Sequence, residues 1–186
     1  MELVDRTYDG PQLRSLVADA TDAVILVRCD LRDADLRDAD LTEVTFEECV
    51  MDQARLQGAA LGGARFTGCR LMGANLEQSR GLGFTIQRSN LFAANLIGAL
   101  LSHTDLTGCR FTEAVLRGAD LRHSVFDGCD LTGTDLYDAN LEGADLRGAS
   151  IGPCDLDRLR ALKGALLTTQ QACTITAELT GAVVLD

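Results

Sequence analysis

From residue 26 to residue 156 every fifth position carries the same kind of side chain. The series runs Leu26, Leu31, Leu36, Leu41, Phe46, Met51 and onward to Leu146, Ile151 and Leu156. Of its 27 positions, 26 are large and apolar, and only Gly81 breaks the run. At 46% hydrophobic residues, chance would fill roughly 12 of them. A period of five matches neither the 3.6 of a helix nor the 2 of a strand. It fits a coil of short straight sides, each turning one large residue inward.

The flanking positions sharpen this reading. Two residues before each large one, 24 of 27 positions are Ala, Ser, Thr or Cys; Val24, Val44 and Phe84 are the exceptions. Asp or Asn often stands between, as at Asp35, Asn75, Asn95 and Asp120, and Gly often follows, as at Gly63, Gly98 and Gly118. The consensus is A-(D/N)-L-x-G. A second period gives the number of sides. Cys29, Cys49 and Cys69 are spaced by 20, Ser89 takes the next place, and Cys109 and Cys129 follow. Four pentapeptides therefore make one turn, and equivalent residues stack at about 4.8 Å. The result is a solenoid in which each coil touches only its neighbours.

This pattern over residues 24–158 resembles the pentapeptide-repeat family. The resemblance implies an all-β fold, a right-handed quadrilateral parallel β-helix. Residues 1–23 lack the clean period and are expected to form an imperfect first coil. After Leu156 the repeat fades. Thr168-Thr169-Gln170-Gln171 reads as a capping box, so a short C-terminal α-helix is expected over 169–180, stopped by Gly181. Ala182–Leu185 reads as a short strand. The region 159–186 is expected both to cover the last coil and to join two chains, with Ala172, Ile175, Leu179 and Val183 as the dimerisation residues.

The tail carries a narrower likeness. Gln171–Val184 is similar to the C-terminal helix and strand of the Qnr and MfpA group, and Ser79–Ile86 is similar to the irregular Leu-Gly segment of Qnr proteins. That group forms tail-to-tail dimers that bind bacterial type II topoisomerases. The resemblance thus implies DNA gyrase or topoisomerase IV as partner. Qnr proteins also carry loops bulging from their coils, implicated in quinolone protection. The unbroken register from 26 to 156 leaves no room for them, which places the chain nearer the loop-free MfpA type.

Charge supports a mimic of DNA rather than a binder of it. The chain holds 28 acidic and 17 basic residues, net −11, whereas neutralising phosphates needs basic clusters. Twenty-seven pentapeptides make about 6.75 coils, or ~32 Å of rod. A tail-to-tail dimer carries twice −11, or −22, along ~64 Å, about one net charge per 3 Å against one per ~1.7 Å for duplex DNA. The charge is banded. Residues 29–52 hold nine acids and two Arg (−7), residues 53–104 one acid and five Arg (+4), and residues 105–157 eleven acids and four Arg (−7). In a C-terminal dimer the last band flanks the two-fold axis. Asp105, Asp120, Asp127, Asp130, Asp135, Asp138, Glu142 and Asp145 are therefore the expected contact residues, through their collective field. Taken singly, each Asp also suits a repeat turn.

Other chemistries find little support. The Cys row fills small inward slots that Ser or Ala fill elsewhere, as buried small hydrophobes do. His103 and His123 are stacked one coil apart, without a third ligand for a metal. No phosphate loop, nucleophile–base pair or carboxylate pair stands out, so no cofactor and no enzymatic activity are expected. No basic region precedes an apolar run at the N-terminus, and no stretch reaches bilayer-spanning length. A cytoplasmic protein without membrane contact is the expectation. A rigid interaction scaffold with no topoisomerase target is the competing reading.

Overall fold

A computed structural model describes residues 1–183 of the 186-residue chain. Short parallel rungs follow one another up a four-sided rod: β1 (Glu2–Val4), β2 (Ile25–Val27), β3 (Thr45–Glu47), β4 (Arg65–Thr67) and β5 (Thr85–Gln87). They pair in sequence order in one sheet, with Leu26 over Phe46 and Phe46 over Phe66. Beyond β5 this first face continues as single bridges, Asp105 to Val125 to Asp145 and then to Leu166. The second face stacks Asp30, Val50, Arg70, Asn90, Arg110, Asp130 and Ser150. The third stacks Asp35, Arg55, Asn75, Asn95, Val115 and Asp135, and the fourth contains Leu100, Asp120 and Asn140. The 20-residue superperiod is therefore the pitch of a right-handed quadrilateral β-helix.

The five-residue series is the interior. Leu36, Leu56, Leu76, Leu96 and Leu116 are fully buried, as are Phe46 and Phe66. The last two stack with ring centroids 4.8 Å apart and planes 9° from parallel. Rows of identical residues at one strand spacing let flat rings and branched chains interlock without voids. From Leu26 to Leu141 the corners close through a left-handed residue two positions after the inward one, for example Gly63 at φ 65° and Gly118 at φ 61°. This is the third position of a turn that favours Gly. Elsewhere Glu113 (φ 60°) and His123 (φ 56°) accept the strain, which costs roughly 1–2 kcal/mol at a non-Gly residue.

The small inward row has its own bonding. The thiols of Cys49, Cys69, Cys109 and Cys129 donate to the carbonyls of Leu26, Phe46, Ile86 and Leu106 on the preceding coil, at 3.4, 3.3, 3.1 and 3.0 Å. The Thr134 hydroxyl repeats this with Phe111 O at 2.8 Å. Burial pushes the Cys109 and Cys129 thiols up to about 12, which keeps them protonated as donors. All seven of the chain's cysteines are free, and all but Cys173 are buried.

Both ends depart from the simple repeat. The first coil has its expected rung, β1, but two of its sides are replaced by α1 (Gly10–Asp19). Asp9 and Gln12 form a capping box around Gly10-Pro11, the start signal that the period-five reading passed over. Arg14 in α1 donates through Nε to Asp35 O at 3.2 Å and through Nη2 to Arg37 O. Those carbonyls face the side where no earlier coil exists.

At the other end the register stops at Ile151, which is buried. Leu156 has the right spacing to point inward but is 63% exposed. Asp155 caps a helix instead, α2 (Leu156–Ala161), accepting from Arg158 N at 2.8 Å. The chain then returns as one more rung, with Leu166 N donating to Ala144 O at 2.8 Å. α3 (Thr169–Thr180) follows with the expected capping box between Thr168 and Gln171 and with Gly181 at φ 69°. Ala182 and Val183 belong to no strand; Val184 and Leu185 of the expected strand lie outside the described residues.

Candidate protein-interaction surface

The eight expected acidic residues all lie on the last coils, distributed around the rod. Asp105, Asp127 and Asp145 are on the first face and Asp130 on the second. Asp135 and Asp138 are on the third, Asp120 and Glu142 on the fourth. The coil geometry thus gathers them into a belt and not into one flat patch.

Within the belt they divide by what their carboxylates do. Asp105, Asp120, Asp130, Asp135 and Asp145 hold the position before the inward residue, and each Oδ1 accepts from the backbone N–H two residues on, at 3.0–3.2 Å. This Asx turn is why the repeat favours Asp or Asn there. Their second oxygens are engaged as well. Asp120 pairs with Arg122 and Asp145 with Arg147, both at 2.7 Å, and Asp135 with Arg117. Asp130 accepts from Thr112 Oγ1 at 2.8 Å, and Asp105 accepts from the Gln87 amide. The side-chain bond from Arg147 lowers the Asp145 carboxyl to about 2, and the one from Arg122 holds Asp120 below its usual value. For Asp105, burial pushes upward, but the bonds from Thr107 and Gln87 prevail and the net direction is down.

Asp127, Asp138 and Glu142 differ. They are exposed and take part in none of the ion pairs found among the described residues. Asp138 stands on the wall of an open groove of about 470 Å³ between α2 and the rod, along with Tyr137, Arg160 and Lys163. Part of the field of Asp138 is met there by cations. The outward charge of the belt is carried by these three exposed carboxylates together with Asp105 and Asp130, whose bonds are to neutral donors, and Glu113 is exposed on the same coils. Residue counting missed this division. The Arg two residues after Asp120 and Asp145 was the available signal.

The expected dimerisation residues divide too. Ile175 is 7% exposed and Leu179 is half-buried, both packed on the chain's own core. Gln171 Nε2 donates to Leu146 O at 2.7 Å and Ala149 O at 2.9 Å, while Glu178 accepts from Cys154 N at 3.1 Å. α3 therefore closes the rod. Ala172 is exposed and Val183 is 85% exposed. The exposed apolar residues at this end also include Leu156, expected inside by its spacing, and Leu159 and Leu166.

His103 and His123 stack with ring centroids 4.9 Å apart. Among the described residues no group of three or more His, Cys, Asp or Glu is placed to hold a metal ion. None of the described helices is long and apolar enough to cross a membrane.

A capped, four-sided solenoid with a charged exterior and a filled interior defines a class of protein that works through its surface. The comparisons with known proteins give the family. Pentapeptide-repeat models match residues 26–80 and residues 89–128 and 116–152. The chain belongs to the pentapeptide-repeat family. Among solved structures it is similar to two trypsin-treated forms of QnrB1, described as a plasmid-mediated fluoroquinolone resistance protein. One match has a TM-score of 0.71 at 22% identity, covering 100% of this chain and 97% of that one. The other has 0.64 at 21% identity, covering 100% and 99%. Full-length QnrB1 is also similar, with a TM-score of 0.51 at 19% identity over 94% and 95% of the two chains. No curated protein matches the chain in sequence.

Proposed function

We propose that this chain is a non-enzymatic, DNA-mimicking protein that binds a bacterial type II topoisomerase, DNA gyrase or topoisomerase IV. It acts in the cytoplasm as a homodimer joined at its C-terminal ends. There it competes with the DNA segment or dislodges an inhibitor, conferring resistance to a topoisomerase-directed antibiotic or toxin.

The observation that carries this reading is the acidic belt on the last coils, with Asp127, Asp138 and Glu142 exposed and outside the ion pairs found among the described residues. Such a belt beside a two-fold axis presents negative charge on both sides of the junction, as duplex DNA does to a basic groove. The full-length likeness in fold to a fluoroquinolone resistance protein supports the choice of partner. A second reading, a rigid scaffold without a topoisomerase target, is favoured by the Asx turns. Five of the eight expected carboxylates are needed by the fold whatever the rod binds.

A supercoiling assay separates the two. Under the first reading, gyrase or topoisomerase IV is inhibited by the chain or protected by it from a poison. No binding, no inhibition and no protection would leave the scaffold.

A further inference from the structure

The fourth face breaks the repeat at one corner. Its inward row runs Leu41, Leu61, Gly81, Leu101, Leu121 and Leu141, so one coil has no side chain to bury. Gly81 has φ 141°, and a Cβ there would lie 2.3 Å from Gly62 N; no other residue type fits. The next corner carries extra bulk. Phe84 occupies a slot that is Val44, Ala64, Thr104 and Ser124 on neighbouring coils, and it is 1% exposed. The coil-to-coil ladder suffers as well. Leu61 N donates to Arg80 O at 2.7 Å, but among the described residues Gly81 N makes no such bond to Leu100 O. Arg80 and Leu100 form no bridge, nor do Thr85 and Asp105, although Leu100 N still donates to Ser79 O and Ile86 N to Asp105 O, both at 3.2 Å.

The leucine lost from the interior reappears outside. Leu82 is 84% exposed, and Leu100 on the next coil of the same face is 50% exposed. On the other coils the place of Leu82 is held by Thr42, Gly62, Ser102, Arg122 and Glu142. A plain A-(D/N)-L-x-G unit here would bury one more leucine and restore the ladder. A local break of the rule at a cost in stability marks a functional position more often than a neutral one.

We propose that Leu82, with Leu100 beside it, is an apolar anchor for the topoisomerase of the preceding section, and the inference rests on that reading. The charges on this face specify the socket. Arg80 adjoins the anchor, is exposed and takes part in none of the ion pairs among the described residues. Asp40 and Glu43 lie two coils to one side and Glu142 three coils to the other, about 10 and 14 Å away, and Arg122, between the anchor and Glu142, is held by Asp120 at 2.7 Å. The partner surface is therefore an apolar pocket with a carboxylate at its edge for Arg80 and basic groups about 10 and 14 Å to either side. The anchor supplies the grip at the centre and the acidic belt supplies the steering.

The test uses the full chain and intact gyrase or topoisomerase IV, with binding followed by surface plasmon resonance over a range of salt. Leu82→Ser is expected to keep the wild-type melting temperature, because the side chain lies outside the core. Its affinity should fall about 10- to 100-fold, through faster dissociation and with the salt slope unchanged. Leu82→Met should bind within about threefold of wild type. Leu82→Ser binding as tightly as wild type overturns the anchor alone. A wild-type chain that binds neither enzyme overturns the topoisomerase reading and the anchor with it. Concentration-dependent self-association that Leu82→Ser abolishes would assign the patch to a second copy and also overturn the proposal.

Discussion

The two ends of the rod solve one problem in parallel ways and then diverge. Each leaves a coil with open carbonyls that would otherwise pair with another chain. At the N-terminus Arg14 of α1 fills Asp35 O and Arg37 O. At the C-terminus Arg158 of α2 fills Thr134 O, at 3.0 Å, and Leu131 O, while Gln171 of α3 fills Leu146 O and Ala149 O. A planar fork of donors suits such adjacent carbonyls. The difference lies in what remains outside. The N-terminal end exposes only Met1 and Val4 among its large apolar residues, whereas the C-terminal end exposes Leu156, Leu159, Leu166 and Val183. One end is closed to solvent; the other is closed to its own coils yet keeps an apolar surface beside the acidic belt. The proposed C-terminal junction would use this asymmetry.

Replacing a mid-rod interior leucine, Leu116→Asp, should have the largest effect and erase both ends at once. A charge buried with no partner costs more than about 4–5 kcal/mol, so circular dichroism should show loss of the cooperative transition. Arg158→Ala should lower stability by about 1–3 kcal/mol, because it leaves Thr134 O and Leu131 O without donors. Arg14→Ala should cost less, since α1 also buries Leu13, which is fully enclosed. Equal losses would show the ends to be equivalent. The combined change Leu156→Ser, Leu159→Ser and Leu166→Ser should halve the mass seen in light scattering with the fold retained, and an unchanged mass would refute this dimer surface.

Acid should act on the turns before it acts on the core. Asp30, Asp120, Asp130 and Asp145 all have folded-state pKa values below the unfolded one, owing first to side-chain bonds from Arg32, Arg122, Thr132 and Arg147. The stability they contribute is present above the unfolded value near 4 and is lost as pH falls toward 2. Melting temperature should therefore be flat from neutral pH to about 5 and decline below about 4. Asp145→Asn should shrink that decline slightly, since Asn keeps the turn bond. A melting temperature unchanged down to pH 2 would show that these pairs contribute nothing.

The regular part of the molecule was legible because the sequence repeats the physics twenty-six times over. A leucine every fifth residue, a small residue two before it and a Cys row every twenty fix sides, pitch and interior. The ends were less legible because single residues decide them. Leu156 keeps the period and yet opens a helix, since Asp155 caps it and Arg158 is needed over the open coil. Asp9 and Gln12 signal α1 only to a reader looking for a helix inside a β-solenoid. At the surface, sequence located the acidic belt but not its division, because whether an aspartate is free depends on the arginine two or eighteen residues away. Ala172, Ile175 and Leu179 read as one apolar helix face for dimerisation; the structure packs Ile175 and Leu179 onto the chain's own core and leaves Ala172 exposed.

The account stands on the acidic belt taking the place of DNA. The direct measurement is a competition between the chain and a duplex DNA segment for gyrase, repeated with Asp127→Asn, Asp138→Asn and Glu142→Gln combined. Mutual exclusion by the wild-type chain, weakened at least about tenfold in the triple variant at an unchanged melting temperature, is the predicted result. A stable complex holding gyrase, DNA and the chain together, or a triple variant that competes as well as wild type, would contradict it.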